Sequence, residues 1–298
     1  MIKSHNQESE RADVKILKWY RDFNELIMFQ HSVFSLPFIF IAMIVSADGW
    51  FGWRLLGLGV LAAVSARNFA MLVNRYLDRD IDALNPRTQN RPSVDGRFSA
   101  TQMRLLIVVN ALVFVAVAWA INPLAFRLSF PILAILGGYS LFKRFSETAH
   151  LVLGLSLGLA PIAGAVAVEG AIPMWSVMLA VGVMFWVAGF DLLYSLQDID
   201  FDKEAGLYSI PSRYGPEATM FLARIFHAVA VLFWAFFTAE VHLGLFAWLA
   251  VVAAAAMLVY EHRLVAKDFA KIDRAFFTVN GYLGFVYLGL IALDRWAS

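Results

Sequence analysis

The chain contains no cysteine, which excludes disulfides, thiolate metal sites and Cys-based redox chemistry. Charge is also scarce, at 16% of residues, where soluble globular domains carry about a quarter. With a formal net charge of +1 there is no basic field to hold nucleic acid. The six histidines are dispersed, and none pairs at a spacing that holds a metal. The first 25 residues carry five Lys or Arg and no small-residue cleavage pattern. Residues 1–25 therefore read as a polar amphipathic N-terminal segment rather than a cleaved leader.

What is present is apolar: 60% of the 298 residues are hydrophobic, and the mean hydropathy is +0.67. A soluble core does not require apolar runs of membrane length, and these recur along the whole chain. Expected spans are 26–46, 51–73, 103–121, 128–142, 149–168, 173–196, 219–238, 243–260 and 274–293. The fourth is short and interrupted by Pro131, where the helix is expected to begin. The fold class is all-α: a polytopic membrane bundle of about nine transmembrane helices, with 26–298 forming a single domain.

Basic residues orient the bundle. With a cytoplasmic N-terminus, twenty of the 24 Lys and Arg fall inside, including Lys271 and Arg274. Arg54, Arg127 and Arg295 fall outside, and Arg67 lies within a span. This bias supports an odd number of crossings, leaving Ser298 outside. The two long connections, 74–102 and 197–218, then face the cytoplasm together, and the outer connections are very short.

Each long connection opens with an acidic stretch. Asn74, Asp78 and Asp82 are spaced by four in Asn74-Arg75-Tyr76-Leu77-Asp78-Arg79-Asp80-Ile81-Asp82, which stacks them on one face if the helix continues through them. A second row, Asp198 and Asp202, follows about 120 residues later in Tyr194-Ser195-Leu196-Gln197-Asp198-Ile199-Asp200-Phe201-Asp202. Asp191 precedes it by seven residues among apolar neighbours. An ionisable group at that depth is expected to face an interior cavity with a partner. Two facing carboxylate rows repel unless cations sit between them. Oxygen ligands suit Mg²⁺, which keeps waters and is completed by substrate phosphates. Asp80 and Asp200 fall off the rows and are expected to face water or support their neighbours.

Cations lie beside the acids. Asn85-Pro86-Arg87-Thr88-Gln89-Asn90-Arg91-Pro92 follows the first row, with prolines that break a helix and polar groups able to close on a phosphate. Lys143-Arg144 ends the fourth span after Tyr139-Ser140, and Arg213-Tyr214 lies near the second row. Lys143 and Arg144 also satisfy the helix dipole and the inside bias. Arg67, two turns before Asn74, is either a buried partner for Asp191 or an anchor for an anionic group. Metal plus Lys and Arg around a diphosphate is a design for stabilising a departing leaving group. An isoprenoid diphosphate suits the mouth of a membrane bundle, because its head is charged and its tail belongs in lipid or an apolar cleft.

These residues resemble the UbiA-type intramembrane aromatic prenyltransferase superfamily, typified by 4-hydroxybenzoate polyprenyltransferase, over about Leu26 to Asp294. The resemblance rests on Arg67, the Asn74/Asp78/Asp82 row, Arg87-Thr88…Asn90-Arg91-Pro92, Tyr139 with Lys143-Arg144, and Asp191…Tyr194…Asp198…Asp202. It implies that Asn74, Asp78, Asp82, Asp198 and Asp202 hold Mg²⁺ against a polyprenyl diphosphate. It further implies that Lys143, Arg144 and Arg91 neutralise the diphosphate, and that Arg87, Tyr139 and Tyr194 line the substrate site. Arg67 would position the acceptor's carboxylate or phenolate, and Asp191 or Tyr194 would orient it. The implied product is an aromatic hydroxy acid alkylated ortho to its phenolic oxygen, a step of ubiquinone or menaquinone biosynthesis. The implied place is a bacterial cytoplasmic (inner) membrane, among its lipids, with the site facing the cytoplasm.

Where the 4-hydroxybenzoate pattern has Leu-Pro-Ser-Gly after Arg-Pro, this chain has Ser93-Val94-Asp95-Gly96. The phrases Asn85-Pro86-Arg87-Thr88 and Gly206-Leu207-Tyr208-Ser209-Ile210-Pro211 also look like the futalosine-pathway menaquinone branch, whose acceptor is a hydroxylated naphthoate. Competing readings are transfer to haem, a chlorophyll precursor or a lipid phosphate acceptor, and a membrane transporter. A transporter predicts ionisable groups central in several helices, not two acidic rows at one face.

Overall fold

Runs of apolar residues leave backbone groups no water to bond, so each run satisfies itself as a helix. The computed structural model describes residues 2–28, 36–267, 272 and 278–297, with side chains from Lys15 onward. Within them the order is α1 (Ile2–Ile27), α2 (Leu36–Ser46), α3 (Trp53–Leu77), α4 (Arg79–Leu84), α5 (Ala100–Ile121) and α6 (Pro123–Gly138). Then follow α7 (Ala149–Glu169), α8 (Met174–Tyr194), α9 (Ile199–Glu204), α10 (Ile210–Glu240), α11 (Leu245–Lys267) and α12 (Asn280–Ala297). Two 3₁₀ turns, Tyr139–Arg144 and Ser195–Asp198, extend α6 and α8. The element order has no strand among the described residues, as an all-α bundle requires.

Seven helices are long and apolar enough to cross a membrane among the described residues. The 11-residue α2 and the 18-residue α12 stand at the first and last of the nine expected positions. Residues 29–35 of the first expected span and 274–277 of the last lie outside the described residues, as do Lys271, Arg274 and Ser298. The fourth span is corrected: α6 starts at Pro123 and carries Pro131 inside it. Pro123 follows Asn122, whose side chain caps the helix by accepting from Ala125 N at 2.8 Å. In a membrane bundle an interior proline is tolerated when neighbours satisfy the freed backbone.

The core centres on α8, which packs between α7 and α10. Phe38, Trp186, Trp234 and Tyr287 are fully buried and bring α2, α8, α10 and α12 to one aromatic cluster. Helices α7 and α8 approach closely through small residues: a Cβ at Gly158 would lie 2.8 Å from the Ala180 carbonyl oxygen. Side-chain bulk there would separate the helices, as expected where small residues set membrane packing. This contact fixes α7 beside the helix that carries Asp191.

Candidate active site

Both acidic rows straddle a break in a helix. α3 ends at Leu77, and Asp78 adopts φ −93°, ψ 8°, so the condition of a helix continuing through Asp82 is met by α3, a one-residue bend and α4. The backbone still runs Asp78 N to Asn74 O at 2.9 Å and Asp82 N to Asp78 O at 2.7 Å. The spacing by four therefore survives the bend, and Asn74 Nδ2 donates to Asp78 Oδ2 at 2.8 Å. Pro86 then holds Asn85 extended and stops α4. In the second row the 3₁₀ turn Ser195–Asp198 separates α8 from α9. Gly206, at φ +66°, lets the chain reverse after α9. Tyr208 N donates to Lys143 O at 2.9 Å, binding the second connection to the turn that extends α6.

The rows line one cavity of about 270 Å³. It brings together Asn74, Asp78, Asp82, Arg87, Arg91, Tyr139, Lys143, Asp191, Tyr194, Asp198 and Asp202. Arg144 is not among its lining residues: its guanidinium donates to both oxygens of Asp80 at 3.0 and 2.7 Å and to Leu77 O at 2.7 Å. Arg213 turns away as well, pairing with Glu147 and lying 4.5 Å from the Tyr208 ring centroid. Arg67 lines a second chamber of about 280 Å³, apolar and formed chiefly by α2, α3, α5, α6 and α7. Tyr139 and Leu153 line both chambers, so the polar mouth adjoins the apolar space at those two residues.

Three of the four row acids have a cation at bonding distance, and Asp202 is hydrogen-bonded to the Ser209 side chain instead. Lys143 Nζ lies 2.7 Å from Asp78 Oδ2, and Arg91 Nη1 donates to Asp82 Oδ1 at 2.7 Å. Arg87 crosses from the first connection to the second: Nε and Nη2 donate to Asp198 at 3.0 and 2.5 Å, and Nη1 donates to Tyr194 OH at 3.2 Å. Burial pushes the Asp78 carboxyl up, against the opposing pull of the Lys143 ammonium. Hydrogen bonds from Arg144 instead hold Asp80 down at about 2. Burial works against the Arg87 guanidinium, but its bonds to Asp198 outweigh this and raise it. The extra acid Asp95 accepts from Arg97 Nε at 2.7 Å, and Arg97 also bonds Glu25 at 2.6 and 2.8 Å. Asp95 thus braces the connection against α1.

Among the described residues, no three His, Asp or Glu side chains are arranged to hold a metal unaided. The donor chemistry nevertheless fits a hard cation shared with a diphosphate: Asp78 Oδ1 and Asp82 Oδ2 are buried without a hydrogen-bond partner. Sequence reasoning missed several residues here. Asp191 does not take Arg67 as its partner; His150 Nδ1 lies 2.7 Å from Asp191 Oδ2. Asn85 Nδ2 approaches Asp198 Oδ1 at 3.4 Å, and Arg75 Nη1 lies 3.8 Å from Asp82 Oδ2. Asn85 sat inside a recognised motif and could have been promoted. His150 carried no local signal, being one of six scattered histidines.

Comparison with known proteins places this arrangement. Residues 35–288 match the UbiA prenyltransferase family. A 4-hydroxybenzoate octaprenyltransferase of Paracidovorax citrulli (strain AAC00-1) is 31% identical over 258 residues, 84% of this chain and 85% of the relative. One from Herminiimonas arsenicoxydans is 28% identical over 256 residues, 85% of this chain and 89% of the relative. The apo structure of a UbiA homologue from Aeropyrum pernix K1 superposes with a TM-score of 0.81 at 31% identity, covering 89% of this chain and 98% of that one. A UbiA homologue from Archaeoglobus fulgidus bound to DMAPP and Mg²⁺ has a TM-score of 0.75 at 20% identity, over 93% of this chain and 100% of that one, a likeness of fold.

Proposed function

The chain belongs to the UbiA prenyltransferase family, and on that premise we propose that it transfers a polyprenyl group from a polyprenyl diphosphate to a ring carbon of an aromatic hydroxy acid. The acceptor is of the 4-hydroxybenzoate or hydroxynaphthoate kind, and the step serves quinone biosynthesis. One observation carries this reading: a cavity holding two acidic rows and their cations adjoins an apolar chamber at Tyr139 and Leu153. The charged head and greasy tail of one substrate need such a junction.

Magnesium, held by Asp78, Asp82, Asp198 and Asp202 with Asn74 beside Asp78, would supply Lewis-acid neutralisation of the diphosphate. Lys143 and Arg91 each keep donors beyond their bonds to Asp78 and Asp82, so they can receive diphosphate oxygens as the allylic C–O bond breaks. Arg87 spans the two connections and draws them together over the head group. The leaving diphosphate takes the bonding electron pair, and the apolar chamber keeps water from the allylic carbocation. The acceptor's ring carbon ortho to its oxygen then forms the new C–C bond. Arg67, whose buried Nε has no hydrogen-bond partner, suits the acceptor's carboxylate or phenolate, with Tyr139 beside the same chamber. Asp191 and Tyr194 line the acceptor's side of the mouth.

The protein is an integral membrane protein, and the basic bias of its connections supports a cytoplasmic active face in a bacterial inner membrane. The test is direct. Purified protein given radiolabelled polyprenyl diphosphate and a panel of aromatic acceptors is expected to form a lipid-extractable, C-alkylated product only with Mg²⁺. Absence of product with both 4-hydroxybenzoate and the hydroxynaphthoate overturns the reading.

A further inference from the structure

Electrophilic substitution leaves one ring proton to be removed, and the geometry points to His150 as the residue that takes it, with Asp191 holding its ring in place. This rests on the aromatic-transfer reading above. His150 is 6% exposed and lines the same cavity as the two acidic rows. Its Nδ1 is engaged with Asp191 Oδ2 at 2.7 Å, while its Nε2 is buried with no hydrogen-bond partner. A carboxylate that accepts from Nδ1–H fixes the tautomer with Nε2 free as the acceptor. That is the arrangement of a base with an orienting acid, in which one nitrogen is anchored and the other is presented.

An unmet buried polar atom costs about 1–3 kcal/mol, so Nε2 is left with an accepting lone pair that a group in the cavity can meet. The unmet atom here belongs to a residue one turn before Leu153, which lines both the polar cavity and the apolar chamber. A ring bound at that junction lies where the new bond forms. The neighbouring groups are committed elsewhere. Asp78, Asp82 and Asp198 are bound to Lys143, Arg91 and Arg87, Asp202 is hydrogen-bonded to Ser209, and Tyr194 OH receives Arg87. Tyr139 as a phenol has no free base to offer near neutral pH. Among the described residues lining the cavity, His150 is the only imidazole.

The step balances. The allylic C–O bond breaks with its electron pair going to diphosphate, and the ring carbon donates two π electrons to the new C–C bond. The resulting cationic ring gives its proton from that carbon to His150 Nε2, the C–H electrons restore aromaticity, and the imidazolium is stabilised by the Asp191 carboxylate. The positions of α7 and α8 that bring the pair together are set by the close approach at Gly158.

The experiment compares acceptor carrying hydrogen or deuterium at the ortho carbon, in single turnovers of the full-length enzyme. The wild type is expected to show little isotope effect, because deprotonation is fast. His150→Gln is expected to slow product formation about 10²-fold, in the usual range for losing a positioned base, and to show a primary isotope effect. His150→Ala is expected to recover rate with added imidazole, which a packing role does not permit. Binding of the polyprenyl diphosphate with Mg²⁺ should be unchanged in either variant. If His150 variants do not fold, Asp191→Asn provides the same isotope readout, with a loss of about tenfold. Wild-type activity with variants that keep the rate and show no isotope effect overturns the assignment of His150 alone. A wild type that alkylates no aromatic acceptor overturns the functional reading, and this assignment with it.

Discussion

The two acidic rows look alike along the chain and differ in space. Asp78 and Asp82 are buried, at 2% and 4% exposure, and their cations Lys143 and Arg91 lie within 2.7 Å. Asp198 and Asp202 remain partly accessible, and Asp198 takes its cation, Arg87, from the connection that belongs to the other row. The first row is thus the desolvated half, with two buried oxygens that no hydrogen bond meets. The second is the open half, and the Arg87 side chain that holds Asp198 is itself partly exposed.

Removing the metal tests what the rows share, and it carries the largest expected effect: chelation should abolish turnover, and Mg²⁺ should restore it. Asp78→Asn or Asp82→Asn should lower kcat about 10³-fold, at the upper end for loss of one electrostatic group in a buried site. Stability should move the other way for Asp78. Its folded-state pKa is raised by burial, so the metal-free protein loses stability as pH climbs through the ordinary carboxylate range and above. A neutral Asn removes that cost, and a melting scan at neutral pH should show Asp78→Asn no less stable than wild type.

Asp198→Asn should cost about 10²-fold and shift the Mg²⁺ requirement upward, because the open row can be solvated in part. Equal losses at Asp78 and Asp198 in a Mg²⁺ titration would erase the distinction between the halves. Arg87→Ala should act mainly on KM for the diphosphate, raising it about tenfold, as expected for one lost charge-assisted contact. A fall in kcat with KM unchanged would mean that Arg87 works in the chemical step instead. The smallest effect belongs to Asp80, which sits beside the first row yet points to Arg144 outside the cavity. Its pKa is held at about 2, so the benefit of ionising it is complete above the ordinary carboxylate value and disappears only as pH falls toward 2. Asp80→Asn should therefore change turnover less than about twofold near neutral pH, consistent with an exposed ion pair.

Much of this was legible along the chain. Apolar runs announced an all-α membrane bundle because hydropathy is a local sum and a bilayer accepts little else. Asn74, Asp78 and Asp82 declared a shared face because four-residue spacing persists through the backbone bonds at the bend. The composition of the connections showed that phosphate-friendly cations would stand beside carboxylates. Two elements resisted. Pro131 looked like a helix start and is interior to α6, because the penalty for an interior proline depends on what neighbouring helices can satisfy. Both rows were placed at the mouths of long connections, and the structure carries α3 on to Leu77 and adds the short helices α4 and α9 beyond bends at Asp78 and at Ser195–Asp198.

The amino-acid sequence by itself determined the class of the fold, the rows of oxygen donors and the kinds of charge around them, since each is written in periodicity and composition. The tertiary structure alone decided who meets whom. Arg87 joins Asp198 across 111 residues, and His150 joins Asp191 across 41, where the sequence had offered Asp191 the wrong partner in Arg67. Those pairings depend on the rotation and separation of packed helices, and small residues such as Gly158 set that separation. Hydropathy along one strand of chain carries no record of the angle at which two helices face each other.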